Sequence, residues 1–238
     1  MRNRHILLIL AISFILTSCG IFKTHHKKEL IDFENNLISS QSIKFQGYYF
    51  TELEWEYGEY PPYPIDEYYK KTGIKKIKHL SIFFIYEDGF VLNISGINGL
   101  SHYYCARKEA YENTYESAHK TIELMLESQN SEIKQIKRNC RFRPDDINNK
   151  GLAKINGDSI KIQFYRIESQ NPGKDSFNSA YLHEINGIIK NDSSFVIKSK
   201  TQFRYNKTKS ENRLFKFRQT KQKPNIENYF KKRKNQFK

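Results

Sequence analysis

The chain has 238 residues and a formal net charge of +14, with 16 Tyr, 17 Phe, a single Trp and only 3 Cys. That is enough chain for one large domain or two small ones around a hydrophobic core, which excludes a peptide too short to bury one. Residues 200–238 hold 14 Lys or Arg against Glu211 and Glu227, while residues 19–199 sum to zero, so a basic surface is confined to the end of the chain.

Arg2 and Arg4 precede an apolar run, Ile6 to Leu16, broken only by Ser13. The run is too short to span a bilayer and has the length of an export signal. Leu16-Thr17-Ser18-Cys19, followed by Gly20, resembles the lipobox of bacterial lipoproteins. The resemblance implies removal of residues 1–18 as a lipoprotein signal peptide and acylation of Cys19, hence a protein held on a cell-envelope membrane by its lipid. Several acyl chains make such an anchor stable. Gly20-Ile21-Phe22-Lys23 contains no acidic residue. By resemblance to other lipoproteins of Gram-negative bacteria, this implies the periplasmic face of the outer membrane. The mature chain keeps Cys105 and Cys140, which in an oxidising compartment read either as a disulfide, worth roughly 4 kcal/mol on the loop-entropy argument, or as two buried thiols.

Residues 19–40 read as a lipidated tether and short helix. His25-His26-Lys27-Lys28 is expected to be a flexible polar spacer, with metal or anionic headgroups near the membrane as the alternative reading, and Glu29 to Ile38 has loosely helical apolar spacing. Residues 41–218 read as a single β-rich domain. Leu53, Trp55 and Tyr57 alternate with Glu52, Glu54 and Glu56, so the apolar three are expected to point into a core. The tyrosines near Pro61, Pro62 and Pro64 are expected to cover a loop; exposed aromatics for sugars or cationic peptides are the alternative. Leu80–Tyr86 and Phe90–Ile94 flank Glu87-Asp88-Gly89, a hairpin signal.

Residues 106–127 change period. Tyr111, Tyr115, Ala118, Ile122, Met125 and Leu126 form one stripe of an amphipathic helix. Glu112, Glu116 and His119 could meet a metal, but ferritin-like sites need a second Glu-x-x-His helix, which the sequence lacks, so a solvated face and no metal are expected. Two further hairpins are marked by Asn156-Gly157-Asp158 and Asn191-Asp192-Ser193. Beyond the second, alternation puts Phe195 and Ile197 on one face with Phe203 and Tyr205, and Lys198, Lys200, Gln202 and Arg204 on the other. Leu214–Phe217 reads as a last strand. The whole predicts an α+β, mainly β fold: an antiparallel meander or lipocalin-like barrel of about eight strands with one inserted amphipathic helix.

The run Gly151-Leu152-Ala153-Lys154-Ile155-Asn156-Gly157-Asp158-Ser159-Ile160-Lys161-Ile162 resembles a hairpin of small lipocalin-like lipoproteins from Bacteroidota. Phe215-Lys216-Phe217-Arg218 with Lys223-Pro224-Asn225 is similar to the ending of uncharacterised lipoproteins of those bacteria. Ala153 stands where that family has Tyr, and Asn225 where it has Asp. The resemblance implies a β-rich fold and an envelope location, and carries no catalytic residue.

His79, His102 and His183 stand isolated, and no nucleophile-elbow, zinc-helix, P-loop or dinucleotide motif is present. The expectation is a non-enzymatic binding or structural module without a cofactor. The alternative is an envelope hydrolase with dispersed catalytic residues, in which His183 or His79 would meet a carboxylate and a hydroxyl. Residues 219–238 form a basic C-terminal tail. Lys231, Lys232, Arg233 and Lys234, beside Tyr229, Phe230 and Phe237, suit an anionic surface, worth about 1 kcal/mol per charge near a membrane. Anionic lipid, lipopolysaccharide or an acidic protein are the candidate partners. No nucleic acid is expected, and a disordered solubilising tail is the other reading.

Overall fold

Eight antiparallel strands close into an up-and-down barrel in the computed structural model, which describes residues 23–100, 112–134, 136, 142, 146–169 and 178–237. Cys19, Cys105, Cys140 and His102 lie outside the described residues. The barrel strands are β2 (Gly47–Glu56), β3 (Lys76–Ile85), β4 (Phe90–Asn98), β5 (Lys150–Asn156), β6 (Ser159–Ser169), β7 (Asn178–Asn191), β8 (Ser194–Gln202) and β9 (Lys207–Gln219). Each pairs with the next in sequence, and β9 returns to β2. A two-residue strand β1 (Lys23–Thr24) adds to β7 in parallel, Lys23 opposite Ser179. The mainly β, lipocalin-like barrel expected from the turn signals is thus the observed architecture. The three predicted hairpins are present, with Gly89 and Gly157 at φ 77° and 55° in their turns.

Alternation fills the barrel. Tyr49, Phe83, Val91, Ile162, Phe164, Phe195 and Phe215 point inward and form one cluster. The stacked pair Phe195–Phe215, centroids 5.2 Å apart, sits within it. One end is closed by residues 36–46, where Ile38 and Ile43 enter the interior. Tyr49 fixes this strap: its hydroxyl accepts from the Lys44 N–H at 2.9 Å and donates to the Asp192 carbonyl at 2.6 Å. The short helix expected over Glu29–Ile38 is not formed. A single 3-10 turn, Lys27–Glu29, precedes an irregular path. The path is irregular because its apolar residues serve different surfaces: Ile31 and Phe33 pack on the outer wall, Ile38 inside.

Two layers jacket the outside. Helix α1 (Ile65–Thr72), absent from the sequence reading, follows the proline loop and packs Ile65, Tyr68 and Tyr69 against Tyr57 and Ile77. Helix α2 (Tyr115–Glu127) lays Ala118, Ile122, Met125 and Leu126 on Leu80, Ile82 and Phe84. That explains why β3 reads as a continuous apolar run: it is buried on both faces. Thr114 caps α2 by accepting from the Ser117 N–H, so residues 112–114, expected inside the helix, precede it, and 106–111 lie outside the described residues. On the opposite side the C-terminal segment forms a clasp. Tyr229 and Phe230 of the four-residue helix α3 (Tyr229–Lys232), with Phe237, pack on Leu152, Tyr165 and Leu182.

Candidate functional site in the barrel mouth

The end away from the strap is open, and the same inward registers that fill the core change chemistry there. On β6 the inward series Ile160, Ile162, Phe164 continues to Arg166; on β9 Phe215 gives way to Arg213 and Glu211. On β8 the register shifts between Ile197 and Ser199. A bulge reverses the pleat beyond it. Lys200 therefore turns into the barrel on the same side as Phe195 and Ile197, which corrects the strict alternation expected from the sequence.

These side chains, with Leu53, Trp55, Ser81, Asn93 and Ser95, line a cavity of about 270 Å³ floored by Phe83, Phe164 and Phe215. The wall beside it is split. β2 and β9 pair only from Gly47 opposite Gln219 to Phe50 opposite Lys216. Beyond that they diverge, leaving a cleft of about 540 Å³ between Thr51–Leu53 and Lys209–Arg213. Leu53, Glu211 and Arg213 border both spaces.

Trp55 roofs one side. Its ring lies on His79, centroids 4.3 Å apart, and remains 39% exposed. A bulge in β4 brings Gly96 beneath the ring at φ 82°, where an added Cβ would stand 3.2 Å from Trp55 Cζ3. His79 Nδ1 lies 3.2 Å from the Gly96 carbonyl, which can only accept, so Nδ1 carries the proton and Nε2 faces the Tyr57 hydroxyl at 3.4 Å. Burial keeps the His79 pKa below its ordinary value.

Charge in the mouth is unbalanced. Three cations line the cavity against the single carboxylate of Glu211, whose Oε1 is 3.9 Å from Arg213 Nη2. Arg166 donates to Ser95 Oγ at 3.3 Å and lies over the Phe164 ring, while its buried Nε has no partner among the described residues. Asn93 Nδ2 donates to the Ile82 carbonyl at 3.1 Å, and its buried Oδ1 likewise lacks a donor. Lys200 has no carboxylate within ion-pairing distance among the described residues. Burial first, then Arg166, pulls its pKa down.

At the rim His183 Nε2 lies 3.0 Å from Glu168 Oε1, and Arg204 donates to the other carboxylate oxygen at 3.1 Å. Burial lowers the His183 pKa against the opposing pull of Glu168. The buried Nδ1 meets no hydroxyl or other partner among the described residues. Among the described residues the imidazole–carboxylate half of a hydrolytic triad is thus present without a nucleophile beside it, and His79 meets a tyrosine and no carboxylate.

The other sequence candidates lie elsewhere. His119 is buried under α2, with Nδ1 2.7 Å from the Tyr48 hydroxyl. Glu116 accepts both guanidinium nitrogens of Arg218 at 3.0 and 2.9 Å. Glu112 and Glu116 are exposed, as expected of a solvated face, with Glu116 paired to Arg218, whereas His119 turns out to be buried. Among the described residues no group of three or more His, Cys, Asp or Glu side chains could hold a metal ion. In the tail, Lys231 pairs with Asp88 at 3.2 Å, Lys232 with Glu227 at 2.9 Å and Lys234 with Glu34 at 3.2 Å, while Arg233 covers the Tyr229 ring. The three lysine side chains stay partly exposed, where such pairs contribute at most about 1 kcal/mol each.

No family model, curated protein or solved structure matches the chain. The functional reading therefore rests on topology and side-chain chemistry.

Proposed function

We propose that this is a lipid-anchored cell-envelope lipoprotein whose barrel binds a small ligand in its mouth without transforming it. The observation that carries the binding role is the contrast between the two ends. The closed half is packed with aromatic rings, whereas the open half holds a cavity of about 270 Å³ lined by convergent polar groups. A concave site with a few placed polar groups is the usual form of a ligand pocket. Binding is favoured over hydrolysis because His183 and Glu168 lack an adjacent hydroxyl among the described residues. Anchoring is supported by the order of Arg2, Arg4, the Ile6–Leu16 run and Leu16-Thr17-Ser18-Cys19. The location that fits is the periplasmic face of the outer membrane. Lys231, Lys232, Arg233 and Lys234 would add an electrostatic contact with anionic lipid, lipopolysaccharide or an acidic protein.

Metabolic labelling with radioactive palmitate tests the anchor. Wild-type protein is expected to take up label and to migrate at the size of residues 19–238. The Cys19→Ala variant is expected to take up none, and equal labelling of the two ends the lipoprotein reading.

A further inference from the structure

We infer that the ligand of the barrel mouth is an organic oxyanion, a carboxylate or phosphate monoester, carried on a flat body that stacks against Trp55. The inference rests on the mouth being a ligand site and specifies its chemistry.

Three features converge. Arg166, Lys200 and Arg213 come from three different strands; Glu211 is the carboxylate lining the cavity with them, while Glu168, which also acts on Arg166 and Lys200, is held at the rim by His183 and Arg204. Like charges gathered in a partly enclosed space repel and lose hydration, a cost an anion between them removes. The second feature is unspent hydrogen bonding. Arg166 Nε is buried without an acceptor among the described residues, in a molecule whose other buried polar atoms are mostly satisfied. With Nη2 on Ser95 Oγ and Nε without an acceptor among the described residues, the guanidinium lining the cavity keeps donor capacity of the kind a carboxylate or phosphate takes up. The third feature is the shape of the walls. Trp55 offers a ring face held by His79 and Gly96, and Phe83, Phe164 and Phe215 fill the space below, so no long acyl chain can descend the barrel axis. A short planar body fits between Trp55 and the cations and can extend sideways into the β2–β9 cleft. Asn93, also on the lining, has a buried Oδ1 without a donor among the described residues, a further hydrogen bond left to fill.

Trp55 is the single tryptophan, so its indole N–H resonance reports on the mouth alone. The full chain in a non-ionic detergent would be titrated with naphthoate, naphthyl phosphate, naphthylmethanol and naphthylmethylammonium. Saturable shifts are expected with the two anions, the stronger of which identifies the head group, and binding at least about tenfold weaker with the alcohol and the ammonium, since one charge-assisted contact is worth a factor of that size. Lys200→Gln is expected to weaken naphthoate about tenfold, while Glu211→Gln tightens it several-fold, a gain that a merely structural residue does not give. Should naphthylmethanol or the ammonium bind as tightly as naphthoate, the anionic class is overturned and the mouth remains a binding site. Should none of the four move the indole signal, both readings fall.

Discussion

The Tyr48 hydroxyl and His119 Nδ1 lie 2.7 Å apart where α2 closes over the outer wall of the barrel. Burial holds the His119 pKa down to about 4, so the ring is neutral in the native state at neutral pH. An unfolded histidine titrates near 6.5. With the folded value depressed, the unfolded chain takes up its proton first as pH falls. The stability gained by burying the neutral ring is therefore complete above about pH 6.5 and is lost as pH drops towards about 4. His183 and His79, also lowered by burial, act with the same sign. The melting temperature is expected to be flat just above neutrality and to fall steadily below about pH 6.5, with a shallower fall in His119→Phe. Tyr48→Phe strips the imidazole of its partner and should cost roughly 1–3 kcal/mol at neutral pH. A melting temperature unchanged across the acid range would contradict the burial of neutral imidazoles.

The basic tail is anchored by its aromatic residues. Phe230 is 0% exposed, its ring 6.3 Å from Phe33, 6.2 Å from Tyr165 and 5.0 Å from Phe237. Phe230→Ala opens a cavity between clasp and wall and should cost about 3–5 kcal/mol. Lys232→Ala, whose pair with Glu227 is exposed, should change stability by no more than about 0.5 kcal/mol. Urea unfolding of both variants separates the two roles, and a Phe230→Ala midpoint equal to wild type would show that the clasp is not part of the core. Tests of charge in this segment are therefore best made by substitution in place, since deleting 219–238 also removes Tyr229, Phe230 and Phe237 from the outer cluster.

Most of the barrel was legible because its turns and pleats are local. Asp88-Gly89 and Gly157-Asp158 occupy tight turns that favour those residues, and the inward positions of β6 and β9 follow simple alternation. That alternation also carried the site. Arg166 extends the Ile160, Ile162, Phe164 series, and Arg213 and Glu211 precede Phe215 in step. A charged residue in phase with a core face was a signal the sequence reading passed over. Lys200 was hidden for a physical reason, since one bulge reverses its side and no residue near Ser199 announces it. The clasp was hidden by composition: Lys231-Lys232-Arg233-Lys234 reads as a solvated run, although Tyr229 and Phe230 immediately before it are buried. Tertiary packing also overrode the loose helical spacing of Glu29–Ile38, whose apolar residues divide between the outer wall and the interior.

The position of β1 gives the proposed anchor a direction. Lys23 pairs with Ser179 of β7, which in turn pairs with Glu168 of β6, at the mouth. Cys19 precedes Lys23 by four residues, and an extended chain covers at most about 3.6 Å per residue, so lipid at Cys19 holds this end of the barrel within about 14 Å of its attachment point. In the proposed acylated form the mouth, with Trp55 and its three cations, would face the membrane. The closed end, where Lys231 pairs with Asp88 of the β3–β4 turn, would point away, an orientation that favours an acidic protein over the lipid of the same membrane as the partner of Lys231. The acylated protein can be inserted into small bilayer discs whose lipids carry a nitroxide on the head group. Paramagnetic broadening is expected for the Trp55 indole N–H and not for the Gly157 amide in the β5–β6 turn at the closed end, and Cys19→Ala protein added to the same discs should keep both signals sharp. Broadening of Gly157 with a sharp Trp55 signal would reverse the orientation, and would leave the mouth open to the aqueous compartment instead of to the bilayer surface.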